Sequence, residues 1–306
     1  MHRHIKLSQK QVIKLFFMFS VVVYFHYCFR KMHITFYSDT NSPSLVSQPM
    51  ISNDSLQYIN MHRCTEKLTP LISSPLDTAQ HLLFTNKSLI RFGDGEIYLM
   101  MNKSVGFQAA SSILSQRLTE ILKTNDPRLM IGLVDTFSNC FTFNSGAARW
   151  WSRRPELTSF IEANINISKQ YFSAFISSIY TQSSHTFCHH LDLIYSTLKE
   201  IWRDKDIVLL RGNNSQVYAV DIYETAKSQT IYYAPRYNAW SDYQNLKTTI
   251  LKEPPDKLFI LAAGPVGKIL AYDLMLLGRR ALDLGHLAKD YNAYMTNSSA
   301  RGFFRD

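Results

Sequence analysis

The chain has 306 residues, 46% of them hydrophobic, which is enough to bury a full core in one large or two small domains. Its net charge of +9 looks like a nucleic-acid signal, but residues 1–31 supply six of those charges through Arg3, Lys6, Lys10, Lys14, Arg30 and Lys31, with no acid among them. The rest of the chain carries only three, an ordinary surface, so no nucleic-acid partner is expected.

The N-terminal charge flanks an apolar run from Leu15 to Phe29, preceded by Val12-Ile13. A spanning helix wants about 20 apolar residues, and this one is short and interrupted by Lys14 and His26. No small-residue cleavage site follows it. The expectation is an uncleaved signal anchor over 12–31, with a cytosolic tail over 1–11. That gives a single-pass type II membrane protein with its bulk in the lumen of the Golgi or the endoplasmic reticulum. Residues 32–76 are rich in Ser, Asn, Thr and Pro and read as a stem or linker, leaving a catalytic domain over 77–306. Glycosylation sequons begin at Asn53, Asn86, Asn102, Asn166, Asn213 and Asn297. Cys28, Cys64, Cys140 and Cys188 form no disulfide framework, and Cys188-His189-His190 matches no zinc spacing.

From Leu76 helices and strands alternate. A short helix over Leu76–Thr85 leads into a strand, Ser88–Phe92, that stops at Gly93-Asp94-Gly95-Glu96. An i, i+2 pair of carboxylates on a turning backbone can converge on one cation, and hard oxygen ligands suit Mg²⁺ or Mn²⁺ shared with substrate phosphates. A solvated turn accounts for the same residues. Arg91, just before the turn, offers a cation to a phosphate or to a carboxylate.

An amphipathic helix follows over Gln108–Thr124, with Ile113, Leu114, Leu118, Ile121 and Leu122 on its stripe. Next come a strand at Arg128–Val134 followed by Asp135, a helix over Ala147–Asn164 interrupted at Pro155, a strand at Tyr171–Ile176 and a helix over Phe187–Arg203. Asp206–Leu210 is wholly apolar after its first residue, the type of strand buried on both faces of a parallel sheet. It ends in Arg211-Gly212-Asn213, with a helix predicted to about Lys227. Thr230–Tyr233 is the next strand, then a helix to Lys252, then the apolar strand Lys257–Ala263. Gly264-Pro265-Val266-Gly267-Lys268 opens a helix to Leu277 that Gly278 caps, and Ala281–Leu284 is a last strand before Gly285-His286. This alternation predicts an α/β, Rossmann-like, mostly parallel sheet with helices on both faces.

Three strand ends are candidate phosphate or nucleotide sites. Gly264-Pro265-x-Gly267-Lys268 puts a helix N-terminus at a strand's carboxyl end, although it is neither a Walker loop nor the dinucleotide fingerprint. A tight strand-to-helix turn explains the same glycines. Arg211-Gly212 is a similar candidate. Tyr237 and Trp240, beside Asn238, either stack on a base or sugar or belong to the core.

Arg91–Glu96 resembles the signature of the GT-D type glycosyltransferases. Further blocks resemble that family in the same order: Ser173–Ser177, Ala234-Pro235-x-x-Asn238-Ala239-Trp240, Gly264-Pro265 to Leu274, and Ala281–His286 with Tyr291. Together they span roughly residues 77–295. The resemblance implies a UDP-hexose donor, UDP-glucose or UDP-galactose, lying across the strand ends on Arg91, Arg211, Gly212, Asn238, Gly264 and Pro265, and a glycan or glycoprotein acceptor. Asp94 and Glu96 would hold Mn²⁺ or Mg²⁺, with His286 as a third ligand or a diphosphate contact. Asp290 and Asp283 are both candidates for the general base. Where the family tends to have Ser-Arg-aromatic-Tyr, this chain has Ser177-Ser178-Ile179-Tyr180. Two alternatives stay open: an inactive nucleotide- or glycan-binding protein, and a metal-dependent phosphoesterase drawing on Asp135, Asp283 and His286.

Overall fold

The computed structural model describes residues 69–136, 144–182, 190–213 and 218–297. The expected anchor, and the linker up to residue 68, lie outside these. Among the described residues no helix is long and apolar enough to cross a membrane.

In chain order the elements are β1 (Leu71–Ile72), α1 (Pro75–Phe84), β2 (Ser88–Phe92), α2 (Asp94–Met100), α3 (Ser112–Lys123), β3 (Leu129–Leu133), α4 (Ser145–Ser152), α5 (Pro155–Asn164) and β4 (Gln170–Ser173). A 3₁₀ turn at Ala174–Ser177 leads to α6 (Ile179–Gln182) and α7 (Leu191–Trp202). There follow β5 (Asp206–Gly212), β6 (Ser228–Ala234), a 3₁₀ turn at Ala239–Asp242, α8 (Tyr243–Ile250), β7 (Leu258–Ala262), α9 (Gly264–Leu276), β8 (Ala281–Asp283) and α10 (Leu287–Met295). Eight strands form one sheet in the order β1-β4-β3-β2-β8-β7-β5-β6, and each recorded pairing is parallel.

The physical reason is the apolar run. All of β3 and all but the last residue of β7 are buried, so both sheet faces are covered. One face packs on α2, α3, α5, α8 and α9; the other packs on α1, α7 and α10. Pro75 and Pro155 each start a helix, the position where a missing N–H is harmless. Gly278, at φ +76°, ends α9 as its sequence position predicted.

Several expectations change. Residues 71–76, read as linker, belong to the sheet and to α1, because Leu71 and Ile72 pair with Gln170 and Tyr171. Residues 94–100 are a helix rather than a turn. The helix predicted to about Lys227 is absent among the described residues of that stretch, where 218–227 form bends and turns. α10 was missed altogether. Ile113 points outward at 64% exposure, so the buried stripe of α3 is Leu114, Leu118, Ile121 and Leu122.

The topology makes the crevice. β2 passes its chain to α2 on one face, while its neighbour β8 passes to α10 on the other. Likewise β7 leads to α9 on the first face, and its neighbour β5 leads to a segment whose Ile222 and Tyr223 lie in the second core. Neighbouring strands that send their chains to opposite faces open a gap at their carboxyl ends, where ligands bind in such sheets.

Leu282, fully buried at the centre of β8, tests the core. Leu282→Ala is expected to lower stability by about 2–5 kcal/mol, read as a reduced urea midpoint with an unchanged slope.

Candidate active site

A cleft runs along the carboxyl edge of the sheet in two lobes. One lobe, about 730 Å³, lies over β2, β3 and the end of β4 and contains Asp94 and Glu96. The other, about 790 Å³, lies over β7 and β5 and contains Arg211, Gly212 and Pro265. Phe107, Ala262, Gly264, Gly285 and His286 line both, so the lobes meet above β7 and β8.

The acidic lobe is built around a buried lysine. Lys268 sits one turn into α9 and is only 5% exposed. Its Nζ lies 3.1 Å from Glu96 Oε1 and 3.2 Å from Asp283 Oδ2. The other oxygen of Glu96, Oε2, accepts the Gly93 backbone N–H at 3.0 Å and caps its own helix. Arg91 holds the same group from the β2 side. Its Nε donates to the Asp283 carbonyl at 2.7 Å, one terminal nitrogen to Asp283 Oδ1 at 3.2 Å, and the other to the Ala174 carbonyl at 3.1 Å. A Cβ on Gly285 would meet the Arg91 guanidinium at 2.3 Å, and its φ is +35°, so only glycine fits beneath the arginine.

Electrostatics follow from this packing. Burial alone would raise the Asp283 carboxyl, but Arg91, Lys268 and the Arg91 backbone N–H together hold it below the usual range. Asp94, open to the cleft, is pushed up, first by the desolvating walls and then by the Glu96 charge. His286 is pushed down to about 4 by desolvation and then by Arg91, Lys289 and Lys268, so it is neutral at pH 7. With Asp94, Glu96 and Asp283 against Arg91 and Lys268, this end of the cleft carries one net negative charge.

The structure sorts the sequence-based candidates. Asp94, Glu96, Arg91, Gly264 and His286 come together at the acidic lobe. The carboxylate pair stands on a helix, where positions i and i+2 do not face each other, so Asp94 opens to the cleft while Glu96 turns inward to Lys268. Arg211, Gly212, Gly264 and Pro265 line the second lobe. Arg211 donates to the Tyr233 hydroxyl at 3.2 Å, and its buried Nε has no partner among the described residues.

Two candidates are corrected. Asp290 lines neither lobe: it is 1% exposed, and it accepts the Tyr180 and Thr181 backbone N–H groups at 3.0 and 2.9 Å and the Tyr195 hydroxyl at 2.8 Å. It caps α6 and is spent on structure, not available as a base. Asn238 lies outside the lining as well. Held at φ +51°, it takes the Ala109 N–H on its side-chain oxygen at 2.7 Å and gives its own N–H to the Phe107 carbonyl at 2.9 Å. It latches the loop that carries Phe107 over the cleft. Asp283, the other base candidate, is committed to Arg91 and Lys268.

Phe107, Trp150 and Gln182 were not singled out from sequence, and Lys268 entered only as the last residue of the Gly264–Lys268 turn, not as the partner of buried acids. The available signal was a lysine inside a largely apolar helix, a position where charge is buried only when paired.

The fold and cleft define a Rossmann-like α/β protein whose cleft lies across the strand ends, with Asp94, Glu96 and Asp283 toward one end and Arg211, Arg236 and Lys289, beside Asp221, toward the other. The profile described as "Glycosyltransferase GT-D fold" matches residues 89–302, and the chain belongs to that family. It is 31% identical over 229 residues to a probable glycosyl transferase, Gly, of Streptococcus gordonii, covering 72% of this chain and 32% of that protein. It is 27% identical over 217 residues to the glycosyltransferase GlyD of Streptococcus pneumoniae serotype 4, covering 70% of this chain and 26% of that one. The chain thus spans a third or less of the length of these curated relatives. The solved structure of a glycosyltransferase from Streptococcus sanguinis superposes with a TM-score of 0.72 at 28% identity, covering 76% of this chain and 88% of that one.

Lys268→Met leaves Glu96 and Asp283 buried beside one cation fewer, so a loss of about 3–5 kcal/mol is expected in chemical denaturation. An unchanged midpoint would show that the lysine is not what holds the acids.

Proposed function

We propose that the chain transfers a hexose from a nucleoside diphosphate sugar, UDP-glucose or UDP-galactose, to a glycan or glycoprotein, with a divalent cation at Asp94. The observation that carries this reading is one continuous cleft with Asp94, Glu96 and Asp283 at one end and, at the other, Arg211, Arg236 and Lys289 against the carboxylate of Asp221. A nucleoside diphosphate needs such a path. Its phosphates suit the basic lobe and the α9 N-terminus at the junction, and its sugar then lies toward Asp94.

The donor set fits a metal shared with substrate. Among the described residues no three Asp, Glu, His or Cys side chains form a ligand cluster. Mg²⁺ and Mn²⁺ commonly take one or two carboxylates and fill the remaining positions with phosphate oxygens and water. Asp94 is the open carboxylate here, and Glu96, tied to Lys268 and Gly93, offers its remaining lone pairs from the inner side. Bound there, a divalent ion supplies Lewis-acid neutralisation of the departing diphosphate. Lys268 and Arg91 hold Glu96 and Asp283 fixed beside it. His286, neutral at pH 7, adds no further repulsion to a metal and sits where both lobes meet. The phosphoesterase alternative draws on Asp283, which Arg91 and Lys268 already occupy.

We also propose that residues 12–31 anchor the chain with its C-terminal part lumenal, on the strength of the basic-flanked apolar run and the six sequons. Both curated relatives are bacterial, which counts against the expected Golgi compartment. Expression in a secretory cell should give a membrane-bound protein whose mobility rises after N-glycosidase; a soluble, unshifted protein rejects the topology.

The metal reading separates the two carboxylates. Asp94→Asn should melt like wild type, because the side chain is exposed, yet lose Mn²⁺-dependent UDP binding and about 10²–10³ in turnover. Glu96→Gln should also lower the melting temperature, since it removes the Lys268 partner. Calorimetric titration of UDP with and without Mn²⁺, beside a screen of nucleotide sugars for UDP or GDP release, decides the matter. If wild type and Asp94→Asn bind UDP equally tightly, with no effect of Mn²⁺ on either, the reading fails.

A further inference from the structure

Phe107 lies in the loop between α2 and α3 and is 44% exposed, yet it lines both lobes of the cleft. Its ring rests against two glycines at helix starts. A Cβ on Gly95 would sit 3.6 Å from its Cζ, and one on Gly264 would sit 3.5 Å from its Cε2, both ordinary contact distances. Gly95 is in the first turn of α2, which follows β2, and Gly264 opens α9, which follows β7. The ring therefore bridges one helix start to the other across the end of β8, where the lobes join.

A half-exposed ring buries little apolar area, so packing alone does not explain where it is kept. Hydrogen bonds from outside the loop hold it. The Phe107 carbonyl accepts the Asn238 N–H at 2.9 Å, the Ala109 N–H donates to Asn238 Oδ1 at 2.7 Å, and the Trp240 N–H donates to Gln108 Oε1 at 3.2 Å. Within the loop, Val105 and Gln108 exchange two backbone hydrogen bonds at 2.9 and 3.1 Å, and Ser104 Oγ accepts the Ala110 N–H at 2.9 Å. The far side of this latch is tied to α9. Trp240 stacks on Tyr243 at 4.9 Å, and the Tyr243 hydroxyl donates to Asp273 of α9. Phe107 is thus fixed relative to the helix whose first residue it touches.

Position decides what the ring can do. In the donor reading above, the phosphates lie at the basic lobe and the α9 N-terminus, and the sugar lies toward Asp94. The bond between sugar and diphosphate then falls at the junction, beside Phe107. In transfer, an acceptor oxygen bonds to the anomeric carbon, the carbon–phosphate oxygen bond breaks, UDP leaves with its electron pair, and the hydroxyl proton passes to solvent. Water attacking in place of the acceptor gives free hexose, UDP and a proton, and the donor is lost. A transferase has to keep bulk water off that carbon. Five residues line both lobes, namely Phe107, Ala262, Gly264, Gly285 and His286, and Phe107 is the one large apolar side chain among them.

We propose that Phe107 shields the sugar–phosphate bond of a bound donor from water and so favours transfer over hydrolysis, and that Asn238 is the positioning residue that holds it there. The proposal rests on the nucleotide-sugar reading above. It adds that the partition between transfer and hydrolysis is set by a loop residue that carries no charge and holds no metal.

The test uses the full chain with Mn²⁺ and UDP-glucose or UDP-galactose, without acceptor, and follows UDP release. Calorimetry measures UDP affinity on the same proteins. Phe107→Ala removes the shield. Asn238→Gly keeps the left-handed backbone but loses the acceptor for Ala109, and Asn238→Asp keeps both. In Phe107→Ala and Asn238→Gly the kcat for hydrolysis of at least one donor should rise about tenfold, with UDP affinity within about twofold of wild type. Asn238→Asp should behave as wild type. A merely structural latch predicts a lower melting temperature for Asn238→Gly with no gain in hydrolysis. The shield is overturned if Phe107→Ala hydrolyses neither donor faster than wild type, or if its UDP affinity falls, which makes the ring part of the nucleotide site. The positioning role is overturned if Asn238→Gly and Asn238→Asp hydrolyse alike. UDP binding by every protein with no gain in hydrolysis rejects the shield and spares the donor reading, whereas no UDP binding by wild type rejects both.

Discussion

Three carboxylates cannot stay charged side by side at the edge of a sheet unless cations stand between them. Lys268 meets that constraint, with its ammonium 3.1 Å from Glu96 and 3.2 Å from Asp283, and Arg91 closes the other side of Asp283. Much of the site geometry follows. Because Asp283 is held low and Glu96 is tied inward, Asp94 is left as the open acid. Because Arg91 must reach the Asp283 carbonyl and Ala174 together, Gly285 can carry no side chain. A buried pair of this kind adds little net stability on its own account. Its effect is to fix which carboxylate faces the ligand.

The same economy appears in the second core. Asp290 is a carboxylate buried beside α6 and α7, and burial raises its pKa, yet three donors converge on it. Those bonds set the direction of α6, and α6 ends at Gln182 on the cleft wall. Asn238 acts similarly on the other rim, where a left-handed residue and two hydrogen bonds hold Phe107 between the lobes. Both are placed beside the site and shape it through the residues they hold.

The two-lobed cleft is a product of topology. A sheet whose neighbouring strands all sent their chains to one face would leave no gap at their ends. Here the chain reverses face at each step across β2, β8, β7 and β5, and the lobes merge over the strands in between. Such a shape suits a long ligand with a charged middle, which is what a nucleotide sugar is.

The sequence by itself determined most of the strands and most of the long helices, because each depends on local facts. An apolar run such as Leu258–Ala262 has no alternative but burial, and proline and glycine mark where elements begin and stop. It also placed Asp94, Glu96, Arg91 and Gly264 at strand ends, since adjacency in the chain is enough for that. The short helix after β2 was hidden because Gly93-Asp94-Gly95 reads as a turn, and its cap is closed by a side chain, Glu96, that sequence also offered to a metal. The role of each acid was beyond reach for a different reason. Arg91 and Asp283 are 192 residues apart in the chain and become neighbours only when β8 slots in beside β2. Whether a carboxylate binds a ligand, pairs with a lysine or caps a helix depends on such partners, and the tertiary structure alone supplies them.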